Sequence, residues 1–152
     1  GIIYQYFKDK KEIFIAGANK YANNIMFPIL SLIDENRKLQ EDLTIFFQKI
    51  IETSKKQHTS SKRAHQEISA MEHLDEDIEV IFKNQEMVFS NKLYELFKNN
   101  GYNDQNLKEK MHLIVNFIDN LAHEECYHKH PTLDYKEMEK LVIETIINML
   151  KK

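Results

Sequence analysis

The sequence predicts an all-α fold, for three reasons. Apolar residues recur at helical spacing along the 152 residues, and no stretch alternates apolar and polar residues for long enough to indicate a strand. Only three glycines and two prolines interrupt the chain, which favours long helices over tight turns. Hydrophobic residues make up 42% and charged residues 30%, a balance typical of one globular domain with a substantial core.

The first predicted helix begins at Asp9. The Asp9 carboxylate can accept a hydrogen bond from a free amide of the first turn, and Glu12 can reach back to the amide of the cap. Helical spacing continues to about Ile33, and we expect a bend at Pro28, which has no amide hydrogen. A polar loop then leads to a second helix at about 40–56, which is apolar along one side.

The remaining helices have their own start and stop signals. Ser61 can cap a short third helix, and an acidic start precedes a long helix at about 75–99. That helix ends at Gly101, which can adopt the left-handed conformation. A fifth helix is predicted at about 106–127, and the last, 134–150, begins with another Asp and Glu capping pair.

The last two helices are apolar around most of their circumference. A terminal helix of this kind must be covered on two sides. In a domain of this size the chain's own core supplies one cover, and we expect a second subunit to supply the other through a two-fold, four-helix interface. A fully internal pair of helices is the alternative. The residues assigned to this homodimer interface are Met111, Val115, Ile118, Ala122, Val142, Ile146 and Met149.

The charge distribution and the cysteine content restrict the binding partners and the cellular compartment that the sequence predicts. The first eleven residues carry three lysines and one aspartate, whereas residues 66–95 carry eight acids and two lysines. Such a division is compatible with a DNA-facing end on an acidic body.

The single cysteine, Cys126, excludes an internal disulfide and suits the reducing cytoplasm. No apolar run approaches the ~18 residues of a membrane span, and we expect no membrane partner.

The chain opens with GIIYQYFKDKKEIF, in which apolar residues are in helical register almost from the first position. In a helix, Ile3 and Phe7 would share the buried face, and Tyr4 and Gln5 would point outward. The start of the following helix presents its free amides and its positive dipole end beside Lys10, an arrangement suited to a phosphate. An exposed helix followed by a phosphate-binding helix start is typical of DNA readers.

This segment resembles the end of the DNA-binding domain in the TetR family of bacterial transcriptional regulators. The family pattern is close to G-x-[hydrophobic]-Y-x-[Y/H]-F-x-x-K-x-x-[hydrophobic]. The match covers about the first 20 residues, and the rest of the chain is similar to the family only in architecture. Seven positions agree in spacing and residue type: Gly1, Ile3, Tyr4, Tyr6, Phe7, Lys10 and Ile13.

The resemblance implies that residues 1–11 are the remnant of a helix-turn-helix and that residues 12–152 form a ligand-binding and dimerisation domain. It implies a repressor whose partners are operator DNA, a small-molecule inducer and a second copy of the chain. The two helices that precede this segment in the family are missing from the sequence, so we expect operator binding only in a longer form of the protein. The implied DNA contacts are Gly1, Ile2, Tyr4 and Gln5 in the groove and Tyr6 and Lys10 at phosphates; for the tyrosines, helix packing alone is the alternative.

The resemblance also implies an inducer pocket in the helical body, for an apolar or amphipathic molecule. On the fifth helix, Asn116, Asn120 and His123 form a polar line at i, i+4 and i+7, and His65 is a further polar candidate. A buried amide without a partner costs ~1–3 kcal/mol, so a ligand, a water or neighbouring backbone must satisfy it. The apolar candidates, for which plain core packing is the alternative, are Phe47, Met71, Phe82, Met87 and Phe89.

The stretch HEECYHKH, residues 123–130, supports a rival interpretation as a helical metal-binding protein or metalloenzyme. Its second histidine falls five residues after the first, so His123 and His128 point apart in a helix and differ from the zinc-protease pattern. Glu124 would complete this ligand set. A second rival is a dimerisation or adaptor module with a solid core. Because no catalytic triad, phosphate loop or carboxylate pair can be identified, we expect neither enzymatic activity nor a cofactor.

Overall fold

The computed structural model describes residues 9–59 and 62–151, which form six α-helices and no strand. The prediction of an all-α fold is therefore confirmed. The second helix starts later than predicted, because Asp42 accepts a hydrogen bond from the amide of Thr44 at 2.6 Å and so places the helix start at Leu43. The helices are α1 (Lys10–Leu32), α2 (Leu43–His58), α3 (Lys62–Glu72), α4 (Glu76–Asn99), α5 (Leu107–Tyr127) and α6 (Tyr135–Leu150).

Aspartates define the starts of four helices. Each carboxylate accepts a hydrogen bond from an amide of the first turn, which satisfies a donor that the helix itself leaves free. The starts predicted from acidic capping residues are thus confirmed, whereas the cap predicted at Ser61 lies outside the described residues. The four caps are Asp9, Asp42, Asp75 and Asp134, with donor–acceptor distances of 2.6–3.2 Å.

The end of α4 fixes the loop between α1 and α2. Gly101 has a φ of 87°, so the left-handed conformation predicted after this helix is confirmed. The side chain of Asn100 accepts a hydrogen bond from the amide of Leu39 at 2.8 Å and donates to the carbonyl of Arg37 at 2.9 Å. These bonds join a loop to a helix end that lies more than 60 positions later in the sequence.

The main core lies between the second half of α1 and helices α2, α4, α5 and α6. Three phenylalanines occupy its centre. The rings of Phe46 and Phe47 meet edge to face with centroids 5.1 Å apart, and Phe97 stacks on Phe47 at 6.0 Å. Contacts of this kind add to the hydrophobic stabilisation from burial. α1 takes part in this core past Pro28, where the helix continues to Leu32.

A second, smaller cluster joins the first half of α1 to α3 and α4. Ala18, Ile68 and Ile78 are buried there, and Phe14 and Phe82 pack against them. α3 has only one buried residue, Ile68, so it is held to the body by a much smaller apolar contact than the other helices. The two clusters do not pack completely against each other, and the cavity between them contains the candidate site.

The structure shows how far the chain itself buries the residues that were predicted to form a dimer interface. Val142 and Met149 are partly buried against the core. The outward-facing apolar residues on the last two helices are Leu113 (47% exposed), Phe117 (38%) and Leu141 (52%). These three residues and the predicted interface residues belong to different apolar stripes, and two such stripes on one helix look alike in sequence. The predicted interface residues that the chain's own core buries are Met111, Val115, Ile118, Ala122 and Ile146.

Candidate functional site

A cavity of about 310 Å³ lies between the two core clusters. Its wall is built mainly from α1, α3, α4 and α5, and the end of α2 closes one side. The volume is at the lower end of the ~300–1,000 Å³ typical of small-molecule sites. The cavity is therefore large enough for a compact ligand, and its chemistry can be described one wall at a time.

One wall is apolar and is formed largely by α1. Tyr21, Ile25 and Ile29 follow one another at intervals of four residues, so they form a single stripe along that helix. Phe82 and Phe89 face this stripe from α4, and the rings of Tyr21 and Phe82 meet edge to face with centroids 6.4 Å apart. This wall can bury the apolar body of a ligand.

The other wall carries three histidines from three different helices. His58 ends α2, His65 lies in the first half of α3, and His123 lies near the end of α5. The Nδ1 atom of His58 lies 2.7 Å from the carbonyl oxygen of Ser54. Since a carbonyl oxygen only accepts hydrogen bonds, Nδ1 is the protonated nitrogen of this ring. The bond fixes the orientation of the His58 side chain at the edge of the cavity.

His65 and His123 form a hydrogen-bonded pair. Their Nε2 atoms are 2.8 Å apart, and the hydroxyl of Tyr21 is 3.1 Å from Nδ1 of His65. A hydrogen bond between two Nε2 atoms requires one of them to be unprotonated. Burial, and then the neighbouring histidines, lower the pKa of His65 from 6.5 to about 4. Burial likewise lowers the pKa of His123. Both rings are therefore neutral at physiological pH.

Tyr127 supports this pair from outside. Its ring stacks on that of His65, with centroids 3.9 Å apart and planes 5° from parallel. Its hydroxyl donates a hydrogen bond to the carbonyl of His58, which ties the end of α5 to the end of α2. The stacked ring and the two histidines separate the cavity from a second cleft of about 390 Å³ on the outer side. His65, Ser69, Glu72 and His123 line both spaces.

The charged residues of the cavity wall are all acidic. Glu72, Glu86 and Asp119 line the cavity, and no lysine or arginine is among its described lining residues. Glu86 lies 3.4 Å from Nε2 of His112. Burial raises the pKa of Glu72, since a carboxylate that loses contact with water is more easily protonated. The cavity therefore combines an apolar wall with a neutral polar wall and negative charge.

The structure brings together some of the residues that the sequence predicted for a ligand site. Phe47 belongs to the centre of the main core, and Met71, Met87 and Asn116 do not line the cavity. Met87 is 46% exposed, because α4 presents it on the side away from α1. The predicted residues that do line the cavity are His65, Phe82, Phe89, Asn120 and His123.

Sequence reasoning missed the contribution of α1, and it missed His58 and Glu72. The stripe of Tyr21, Ile25 and Ile29 was visible at helical spacing, but none of the residues predicted for the pocket lies on this helix. His58 and Glu72 carry no signal in the sequence, because what distinguishes them is proximity to residues on other helices.

Two ligands of the metal-binding alternative, His123 and Glu124, have hydrogen-bond partners within the chain. Among the residues that the structure describes, no group of three or more histidine, cysteine, aspartate or glutamate side chains is arranged to hold a metal ion. Glu124 accepts a hydrogen bond from the hydroxyl of Tyr135 at 2.9 Å. Burial raises the pKa of Cys126, which makes its thiol less reactive.

Most of the predicted DNA contacts, Gly1, Ile2, Tyr4, Gln5 and Tyr6, lie outside the described residues. Lys10 is described and is exposed at the start of α1. Within the described ranges, none of the helices has the length and apolar character required to cross a bilayer. Comparisons with protein-family models, with curated proteins and with solved structures each gave no match.

Proposed function

We propose that this chain is the ligand-binding and dimerisation body of a TetR-type transcriptional regulator, and that the cavity receives the inducer. The observation that carries the proposal is the course of α1. Its first residue, Lys10, belongs to the motif that resembles the family's DNA-binding end. Its middle turns contribute Tyr21, Ile25 and Ile29 to the cavity wall. One continuous helix therefore joins the expected DNA-binding segment to the site.

Contacts between α1 and α4 support a role for α1 as the coupling element. Near the DNA-binding end, the ammonium group of Lys11 lies 3.2 Å from Asp75 and 2.7 Å from Asp77, at the start of α4. Beside the cavity, Gln85 donates a hydrogen bond to Asn23 at 2.8 Å. A ligand that changes the spacing of α1 and α4 would rotate a helix roughly 35 Å long and displace its first turn. Such a ligand favours one of two conformations of the body.

The proposed regulator acts as a homodimer. Two DNA readers related by a two-fold axis match the two halves of a palindromic operator. Leu113, Phe117 and Leu141 give α5 and α6 an exposed apolar face for a partner subunit. Covering this face would remove large apolar side chains from water, which favours association.

Selection of DNA by the full-length protein tests the proposal. The full-length protein, with the helices expected before residue 1, is incubated with a random duplex library, and the bound duplexes are amplified and sequenced. We expect enrichment of a palindromic sequence. Affinity for the selected duplex is then measured by fluorescence anisotropy at several salt concentrations, for the wild type and for two lysine variants of α1.

The two variants separate a phosphate contact from a general effect of charge. Lys10→Ala should weaken binding to every duplex and reduce the salt dependence by about one counterion per protomer. Lys20→Ala removes an exposed lysine from the same helix, about three turns further from the DNA. Lys20→Ala should therefore change neither the affinity for the duplex nor the salt dependence of binding. A library without an enriched sequence, or equal losses for the two variants, would contradict the proposal.

A further inference from the structure

The charge of the cavity wall restricts the kind of molecule that it can hold. Glu72, Glu86 and Asp119 contribute carboxylates, and no described lining residue is a lysine or an arginine. His65 and His123 are neutral at physiological pH, so they do not offset these charges. An anionic ligand would enter a negative potential without a basic partner, whereas a cationic ligand would be attracted.

Glu72 is the carboxylate best placed to pair with a cation. Asp119 lies 3.6 Å from Nε2 of His58, and its side chain is 64% exposed. Glu86 lies near His112. Glu72 has no ion pair with a lysine or arginine in the described part of the chain, and it lies where the cavity meets the outer cleft. Burial destabilises the charged form of Glu72, and a bound cation would relieve this cost.

The rest of the wall suits an apolar group attached to that cation. Tyr21, Phe82 and Phe89 provide aromatic rings, and the faces of such rings attract organic cations. Ile25 and Ile29 extend the same surface toward the main core. With a volume of about 310 Å³, the cavity fits a body of one or two rings rather than a long chain.

We propose that the cavity binds an organic cation, a protonated or quaternary amine on a compact apolar body, with its ammonium group beside Glu72. This inference depends on the proposed function in one respect, because it takes this cavity to be the inducer site. It narrows the apolar or amphipathic inducer expected from the sequence to a cationic one. The same charges disfavour anionic inducers, such as carboxylates and phosphate esters, inside the cavity.

Three compounds with the same phenylbutyl body test the charge requirement. 4-Phenylbutylamine is protonated at neutral pH, as a lysine side chain is. 4-Phenylbutanol is neutral, and 5-phenylpentanoate is anionic. Isothermal titration calorimetry at pH 7.5 measures each dissociation constant for the wild-type chain. We expect the amine to bind at least tenfold more tightly than the alcohol, and the carboxylate to bind more weakly than either.

Glu72→Gln tests the assignment of the counter-ion, because it removes the charge and retains nearly the same volume. Glu67→Gln is the matched control, since Glu67 lies on the same helix and does not line the cavity. We expect Glu72→Gln to weaken amine binding about tenfold while alcohol binding is unchanged, and Glu67→Gln to alter neither. The substitution removes a destabilised charge, so it should also raise the melting temperature at pH 7.5.

Each outcome has one interpretation. If the alcohol binds as tightly as the amine, the cavity is a ligand site without charge selection, and the cation inference fails while the proposed function stands. If the amine binds more tightly but Glu72→Gln leaves its affinity unchanged, the counter-ion assignment is wrong. If none of the compounds binds, the cation inference is overturned for ligands of this size. DNA selection by the full-length protein remains an independent test of the proposed function.

Discussion

Acidification should destabilise the fold through the histidine pair, and His65 is the group that dominates this effect. Its pKa is about 4 in the folded chain and 6.5 in an ordinary, solvated histidine. Between these two values the unfolded chain binds more protons than the folded one. Stability therefore falls as the pH decreases from 6.5 toward 4, and it is fully present above 6.5.

The size of the effect follows from the same two pKa values. A pKa that falls from 6.5 to about 4 is equivalent to ~3 kcal/mol, at ~1.4 kcal/mol for each tenfold change in proton affinity. Because the ring is only partly buried, solvent screens the interaction and reduces this figure. We expect His65 to account for about 1–2 kcal/mol of the folding stability that is lost as the pH decreases from 6.5 toward 4. This corresponds to a decrease of roughly 2–8 °C in melting temperature for a chain of this length.

Thermal and urea unfolding of three proteins between pH 7.5 and pH 4 provides the measurement. His65→Asn removes the titrating group and retains a polar side chain of similar reach. His130→Asn is the matched control, since His130 lies in the loop after α5 with its side chain 63% exposed. Glu72 has a raised pKa and contributes in the opposite direction, but it is present in all three proteins and cancels in the comparison.

We expect the wild type and His130→Asn to lose stability in parallel, whereas His65→Asn should lose about 1–2 kcal/mol less between pH 7.5 and pH 4. Equal slopes for all three proteins would refute this expectation. A shallower slope for His130→Asn alone would place the responsible group outside the cavity.

Three further predictions concern the fold, the proposed dimer and the proposed DNA-binding end. Asn100→Ala should lower the free energy of unfolding, measured by urea denaturation, by about 2 kcal/mol. The substitution leaves the amide of Leu39 and the carbonyl of Arg37 without their hydrogen-bond partner. An unchanged free energy of unfolding would show that other contacts hold the loop. Leu141→Lys should raise the dimer dissociation constant, measured by analytical ultracentrifugation, at least tenfold. It should not lower the melting temperature of the monomer, since Leu141 is 52% exposed. An unchanged dissociation constant would exclude the apolar face that contains Leu141 as the interface. In the full-length protein, Tyr4→Ala should weaken operator binding about tenfold without changing the melting temperature, and unaltered affinity would remove Tyr4 from the DNA contacts.

Local signals in the sequence were sufficient to predict the helices. Asp9 and Asp134 cap helices as predicted, Asp75 caps the helix for which an acidic start was predicted, and Gly101 has the expected left-handed conformation. These features depend only on residues a few positions apart. The start of α2 was predicted a few residues early, because Asp42 competes with several polar residues of the preceding loop as a helix start.

Relations between helices could not be predicted in the same way. Periodicity shows which residues of α5 share a stripe, but it does not show whether the stripe of Ile118 or that of Phe117 meets the core. The cavity depends on such relations throughout. His58, His65 and His123 come from three helices, and the pair that forms the hydrogen bond is separated by 58 positions.

Coupling between the cavity and the DNA is the property that tests the proposed function most directly. The affinity of the full-length protein for its selected duplex is measured by fluorescence anisotropy, without and with a saturating concentration of the phenylbutyl compound that binds the cavity most tightly. We expect at least a fivefold change in the dissociation constant, since allosteric coupling energies are typically ~1–3 kcal/mol. An unchanged dissociation constant, with the compound shown to occupy the cavity, would contradict the proposed function.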